Sequence, residues 1–175
     1  MTSLFIDESK SNGYRLAVAV VDDSDVTRIR AGVASLRLAN QQRIHFTKES
    51  DQRRRHILKE MQKLGIRAYV FLVEGRLEAY ARAWGLEQVA ELCTTEPVQR
   101  IVLETDDSLV RSDRRTLYEH LDKRGLRGTV SYGHQRASAE PLLWAPDAVA
   151  WSDAKGGEWR RLARPLIAAV HTHGR

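Results

Sequence analysis

The sequence predicts an α/β domain with a mixed β-sheet flanked by helices, and two observations support this prediction. Residues 16–21 form a continuous run of small apolar residues, typical of a strand buried on both faces, and they follow a shorter apolar run at residues 4–6. Asn12 and Gly13 between them favour a hairpin turn, so the two runs are expected to pair antiparallel in mid-sheet. The rest of the chain alternates helical and strand patterns, which favours parallel strands with helices packed on the sheet.

The first two helices are predicted from apolar spacing and from boundary residues. Asp25 is a suitable opening for a helix whose apolar residues follow at steps of three and four, as far as residue 36. A second helix is predicted over residues 49–64, and Gly65 ends it. Residues 43–46, between these helices, are compatible with a short edge strand.

The second half of the chain alternates between strand and helix and is expected to end in helices. Runs of β-branched, aromatic and aliphatic residues predict strands at residues 66–73, 98–105 and 129–132. Helical spacing of apolar residues predicts helices at residues 77–93, 112–122, 141–151 and 158–171. Pro165 is expected to kink the last helix.

Composition is that of a globular protein. The 175 residues are 42% hydrophobic and 29% charged, which fits one folded domain over residues 1–175. The net charge of +5 is compatible with a polyanionic partner and favours nucleic acid only slightly. Cys93 is the single cysteine, and neither a secretion signal nor an apolar run of roughly 20 residues is present. We therefore expect a cytoplasmic protein that does not contact a membrane.

Two predicted strands end in pairs of carboxylates. Asp7 and Glu8 follow the first apolar run, and Glu104 and Asp106 close the strand predicted at residues 98–105. Side chains two residues apart on a strand share a face, so Glu104 and Asp106 are expected to point the same way. Taken singly, each pair is also compatible with a polar turn or a solvated loop.

A further carboxylate, Asp147, lies within an apolar stretch at residues 142–151, and Glu140 precedes that stretch. A carboxylate is costly to bury unless something positive neutralises it. Alternatively, Asp147 is a first-turn acid that the helix dipole stabilises. Its occurrence together with acids at two strand ends favours a shared site.

Converging carboxylates favour bound divalent cations. Like charges about 4 Å apart repel by roughly 4 kcal/mol at an effective dielectric of 20, and a bound cation removes this repulsion. Oxygen ligands are those that Mg²⁺ and Mn²⁺ prefer. Two such ions, roughly 3.5–4 Å apart, activate a water molecule and stabilise a leaving phosphate oxygen.

Residues 5–9, Phe-Ile-Asp-Glu-Ser, resemble the Asp-Glu-Ser-Gly opening of an uncharacterised prokaryotic family assigned to the ribonuclease H-like superfamily. Two other features are similar: an apolar strand that ends at Glu104, and Asp147 followed by apolar helical residues. A helix between the second and third strands is also shared with that family. Lys10 stands where the family usually has Gly, and Pro146 stands where it has Ala.

The resemblance implies a ribonuclease H-like fold and metal-dependent hydrolysis of phosphodiester bonds, with Asp7, Glu104 and Asp147 as the matching acids. We therefore predict a nuclease that uses Mg²⁺ or Mn²⁺ and acts on DNA or RNA. The catalytic candidates are Asp7, Glu104, Asp106 and Asp147, and all of these except Asp106 are expected metal ligands. Glu8, Glu140 and His45 are possible additional members, although a half-buried structural histidine is the preferred interpretation of His45.

Two other functions remain compatible with the sequence. The first is a non-catalytic module that binds nucleic acid or protein on the same scaffold, and its binding would survive EDTA. The second is an enzyme that acts on small phosphate esters and ignores long nucleic acids.

Overall fold

The computed structural model describes residues 1–174, in which a six-stranded mixed sheet is flanked by helices. The strands are β1 (Thr2–Ser9), β2 (Tyr14–Asp22), β3 (Arg67–Val73), β4 (Val98–Glu104), β5 (Ser131–Gln135) and β6 (Ile167–Thr172). They lie in the order β5-β4-β1-β2-β3-β6. β2 is antiparallel to β1 and to β3, and the pairs β1–β4, β4–β5 and β3–β6 are parallel. The predicted mixed sheet with an antiparallel pair at its middle is confirmed.

Helices cover both faces of this sheet. They are α1 (Val26–Ala34), α2 (Asp51–Lys63), α3 (Glu78–Thr95), α4 (Val110–Lys123), α5 (Trp144–Lys155) and α6 (Gly157–Ala163). Two short 3₁₀ turns, Phe46–Lys48 and Pro141–Leu143, precede α2 and α5. Ser50 caps α2 by accepting a hydrogen bond from the backbone N–H of Arg53.

The β1–β2 hairpin turns at Asn12 and Gly13, as predicted. Both residues have a positive φ, 52° and 94°, which is the conformation that an Asn-Gly hairpin turn requires. Gly13 is needed there for a second reason, since a Cβ atom would lie 3.3 Å from the carbonyl oxygen of Val73. The turn sets the register in which Asp7 pairs with Ala17.

The alternation of side chains along the strands divides the core into two layers. Phe5 and Val102 face the layer that includes α1, α2, α5 and α6. Leu4 and Ile101, one residue earlier on each strand, face the layer that includes α3 and α4. β2 contributes to both layers and is buried along almost its whole length, as its continuous apolar run predicts.

Two predicted elements are wrong. Residues 43–46 do not form an edge strand, because the N–H of Phe46 is bonded to the Asp147 carboxylate on α5 and the chain then enters a 3₁₀ turn. The predicted helix at residues 158–171 ends at Ala163, and the chain forms β6 beyond a turn at residues 164–166. Pro165 therefore ends the helix rather than kinking it, since proline lacks the N–H that would continue it.

Among the described residues, no helix is both long enough and apolar enough to cross a membrane.

Candidate functional site

Asp7 and Glu104 lie side by side where the parallel pairing of β1 with β4 ends. β4 ends at Glu104, whereas β1 continues to Ser9. Ile6 pairs with Leu103 in the register of β1 and β4, so the next residue of each strand is Asp7 and Glu104. Each lies two residues beyond a side chain of the α5 layer, Phe5 or Val102, and so faces the same layer. Adjacent strands are about 4.8 Å apart, which brings the two carboxyl groups close enough to share a proton.

Asp147 approaches this pair from α5, which packs across β1 and β2. Pro146 fits the first turn of α5, where its missing N–H leaves no helical bond unmade. The Asp147 side chain is buried, and its Oδ2 accepts a hydrogen bond of 2.9 Å from the backbone N–H of Phe46. Three acids predicted from separate parts of the sequence, at positions 7, 104 and 147, are therefore neighbours.

The basic groups beside the three carboxylates do not balance their combined negative charge. Burial, followed by repulsion from Asp147 and Glu104, raises the pKa of Asp7 well above its ordinary value. Burial also raises the pKa of Asp147, although the Phe46 N–H, His45 and Arg43 favour its charged form. The arrangement therefore favours the uptake of a proton or a cation.

Arg43 and His45 are the basic side chains at this cluster, and the sequence analysis assigned no role to Arg43. The Nη1 atom of Arg43 lies 2.5 Å from Oε1 of Glu104, and Nδ1 of His45 lies 3.9 Å from Oδ2 of Asp147. Ile44 and Phe46, which alternate with them, are fully buried in the core. That alternation of basic and apolar residues is the sequence signal that could have shown both basic residues facing the acids.

Comparison with known proteins shows the fold. No family model matches the chain, and no curated protein matches it. The chain is similar to a chain in the solved structure of the PCNA:RNase HII complex from Archaeoglobus fulgidus, with a TM-score of 0.58 and 18% sequence identity. That similarity covers 89% of this chain and 73% of the other.

The protein has a ribonuclease H-like fold. The fold predicted from the sequence is thus confirmed. The narrower resemblance to the Asp-Glu-Ser-Gly family stays a prediction.

The side chains of this site have the chemistry that a hard divalent cation requires, but they are not arranged around a common point. Three carboxylates offer oxygen ligands, and the buried Nδ1 atom of His45 has no hydrogen-bond partner among the described residues. Nevertheless, no group of three or more acidic, His or Cys side chains in residues 1–174 is arranged to hold a metal ion. Two of the acids make protein contacts instead: Glu104 is bonded to Arg43, and Asp147 to the Phe46 N–H.

Glu8 and Asp106 do not join the cluster. Glu8 follows Asp7 on a strand and so faces the opposite layer, where its Oε2 lies 3.0 Å from Nη1 of Arg82. The expectation that Asp106 shares a face with Glu104 is wrong, because β4 ends at Glu104. Asp106 instead lies in an exposed turn, where its Oδ1 accepts hydrogen bonds from the N–H and the hydroxyl of Ser108.

Glu140 is also held away from the cluster. Its Oε1 accepts the N–H of Leu142 at 3.1 Å and so caps the 3₁₀ turn that leads into α5. Both of its oxygens are bonded to the guanidinium of Arg30, at 2.9 to 3.2 Å. Its role in this structure is to connect α1 to the segment that positions α5.

We expect Glu140→Ala to lower the free energy of unfolding by about 1–3 kcal/mol, because it removes a cap and leaves Arg30 unpaired. Urea denaturation measures the loss. Any change in melting temperature that Mn²⁺ produces in the wild type should persist in this variant. Loss of that effect in a folded Glu140→Ala protein would show that Glu140 is an additional member of the site.

A second polar cluster, which the sequence analysis missed, lies on the opposite face of the sheet. Arg82 on α3 donates to both carboxylate oxygens of Asp113 on α4, at 2.6 and 2.9 Å. It also donates to Glu8 and to the hydroxyl of Tyr14, and His134 on β5 lies 2.8 Å from Asp113. The guanidinium therefore joins two helices to the β1–β2 hairpin. No short motif connects these five residues, so only the folded topology brings them together.

Proposed function

We propose that this protein is a divalent-metal-dependent nuclease that hydrolyses phosphodiester bonds of nucleic acid. The observation that carries the proposal is the convergence of Asp7, Glu104 and Asp147 where the parallel pairing of β1 with β4 ends, with too little positive charge nearby to balance three acids. The ribonuclease H-like fold supports it, since the similar chain belongs to a structure described as containing RNase HII.

The residues of the cluster take distinct roles in this proposal. Asp7, Glu104 and Asp147 hold Mg²⁺ or Mn²⁺, which when bound supplies activation of a water molecule and stabilisation of the leaving phosphate oxygen. Arg43, 28% exposed at its side chain, is paired with Glu104 and would contact a substrate phosphate when that pair opens. His45 lies at the exposed edge of the cluster, where its imidazole can accept or release a proton.

A second candidate function, a binding module without catalysis, is favoured by one observation. The Arg43–Glu104 ion pair neutralises one acid of the cluster with a side chain of the protein itself. If this pair is permanent, the site binds no cation, and nucleic acid or protein is retained equally in EDTA.

Thermal melting with and without Mn²⁺ tests the proposal. A ligand at 100 times its Kd stabilises a protein by about 2.7 kcal/mol, which corresponds to a rise of about 5–10 °C for a chain of this size. We expect this rise in the wild type, together with Mn²⁺-dependent cleavage of DNA or RNA. If neither Mn²⁺ nor Mg²⁺ changes the melting temperature, and neither ion supports cleavage, the nuclease proposal is rejected. Hydrolysis of a small phosphodiester without cleavage of long nucleic acid would instead indicate an enzyme that acts on small phosphate esters.

A further inference from the structure

The face of β4 and β5 beside the acids carries an open groove. Its volume is about 200 Å³, and it is lined entirely by residues of these two strands, from 100–102 and 131–135. β5 is the edge strand of the sheet. Its packed helix, α4, belongs to the opposite layer, while α5 lies over β1 and β2. Gly133 pairs with Val102 and so faces the α5 layer, and an added Cβ there would meet nothing within 4 Å, so the groove opens on this face beside α5.

The register of β4 and β5 shows that this groove runs along the strands toward the acid cluster at Glu104. Arg100, Val102 and Glu104 alternate onto one face, and their partners on β5 are Ser131, Gly133 and Gln135. Glu104 is the strand residue that follows the groove, next to Gln135. These alternating residues form the floor of the groove, and the floor therefore continues into the acid cluster.

Gly133 leaves the floor of the groove open. A Cβ atom at this position would contact nothing within 4 Å, and its φ lies outside the left-handed region. Neither packing nor backbone conformation therefore requires glycine here. Glycine inside a strand reduces stability and often marks a place where another backbone approaches closely.

Arg100 supplies a positive charge at the far end of the groove. No carboxylate lies within ion-pair distance of it in the part of the chain that the structure describes. Arg100 and Glu104 are four residues apart on one strand, so their Cα atoms are about 13 Å apart. That span corresponds to about four base steps of a nucleic acid strand, at 3.4 Å each.

We infer that the β4–β5 groove binds the sugar–phosphate backbone of one nucleic acid strand and leads it to Glu104. The inference rests on the proposed function, because it identifies how the same site receives its substrate. Arg100 binds a phosphate, the missing side chain of Gly133 admits the backbone, and Gln135 donates hydrogen bonds next to the acids. Since these contacts are to the backbone, they hold the strand without reading its sequence.

The test measures binding without cleavage. Fluorescein-labelled oligothymidylate, and oligouridylate of the same length, are titrated with the protein in EDTA and again in Ca²⁺, and anisotropy is followed. We expect Arg100→Ala to weaken binding about tenfold and to reduce the salt dependence by about one phosphate contact. Arg161→Ala, which removes an exposed arginine on α6 without affecting the groove, is the charge-matched control and should bind as the wild type does.

Gly133→Val separates the groove from general folding defects. Valine favours strands and meets no steric barrier here, so the melting temperature should stay the same or rise while affinity falls about tenfold. Gly133→Ala should show a smaller loss of affinity, and it replaces the valine variant if that protein does not fold.

The inference that the groove binds nucleic acid would be overturned if the Arg100 and Gly133 variants both bind with wild-type affinity. It would also be overturned if the wild type binds neither oligonucleotide in either buffer. The nuclease proposal fails separately, if the wild type binds through the groove but cleaves neither strand with Mn²⁺ or Mg²⁺.

Discussion

Replacing Asp7 with asparagine is expected to reduce Mn²⁺-dependent cleavage of nucleic acid by at least about a thousandfold. A bound cation contributes several kcal/mol of charge stabilisation to the transition state, and each 1.36 kcal/mol is a factor of ten in rate. Asparagine keeps the shape of the side chain but removes the charge that holds the ion. Asp147→Asn should have a similar effect, because Asp147 faces the same cluster from α5.

The same variant should be more stable than the wild type in the absence of metal. The pKa of Asp7 is raised by burial and by its acidic neighbours, so the folded protein binds this proton more tightly than the unfolded chain does. Wild-type stability is therefore lost as the pH rises from about 4 through the raised pKa of Asp7, and Asp7→Asn escapes that loss. In EDTA at neutral pH, we expect a higher melting temperature for Asp7→Asn, with no further rise on addition of Mn²⁺.

Asp122→Asn is the matched control for these two variants. Asp122 lies on α4 with about half of its side chain exposed, so the substitution removes one carboxylate without touching the cluster. It should keep the wild-type rate. Equal cleavage by the wild type, Asp7→Asn and Asp147→Asn would reject the assignment of these acids.

The site residues that could be predicted from the sequence are those that stand next to, or inside, an apolar run. Asp7 and Glu104 each terminate an apolar run, so strand patterning alone predicts carboxylates at strand ends. Asp147 is detectable for a related reason, since an acid rarely lies in so apolar a helix. Asp106 could not be placed correctly, because its direction depends on β4 ending at Glu104, and single residues at element boundaries are poorly determined by propensity.

Nonlocal pairing accounts for what the sequence did not predict. Residues 162–170 have apolar spacing that fits a helical stripe, yet part of this segment becomes β6 through parallel pairing with β3, nearly 100 positions earlier. Apolar periodicity cannot distinguish the two outcomes in a short segment. The contacts of Arg82 follow the same rule, since its partners come from the β1–β2 hairpin and from α4.

Replacing Arg82 with methionine is expected to lower the free energy of unfolding by about 3–5 kcal/mol. The guanidinium is 6% exposed and lies between Asp113 and Glu8, so its removal leaves two carboxylates without their counter-charge. For a chain of this size, such a loss corresponds to a fall of about 6–20 °C in melting temperature. Urea denaturation provides the free energy directly. Arg124→Met, which breaks a more exposed pair with Glu91, should cost no more than about 1 kcal/mol.

The pH dependence of stability distinguishes loss of this ion pair from a simple packing defect. Burial alone would raise the pKa of Asp113, but hydrogen bonds from Arg82 and His134 outweigh it and hold that pKa below its ordinary value. The contribution of Asp113 is therefore present above about pH 4 and is lost as the pH falls through its lowered pKa. In the wild type, stability should fall steeply in this acid range. In Arg82→Met the fall should be shallower, because much of the interaction that lowers this pKa is already absent. Parallel acid profiles for the two proteins would show that Arg82 stabilises the fold by packing and not by charge.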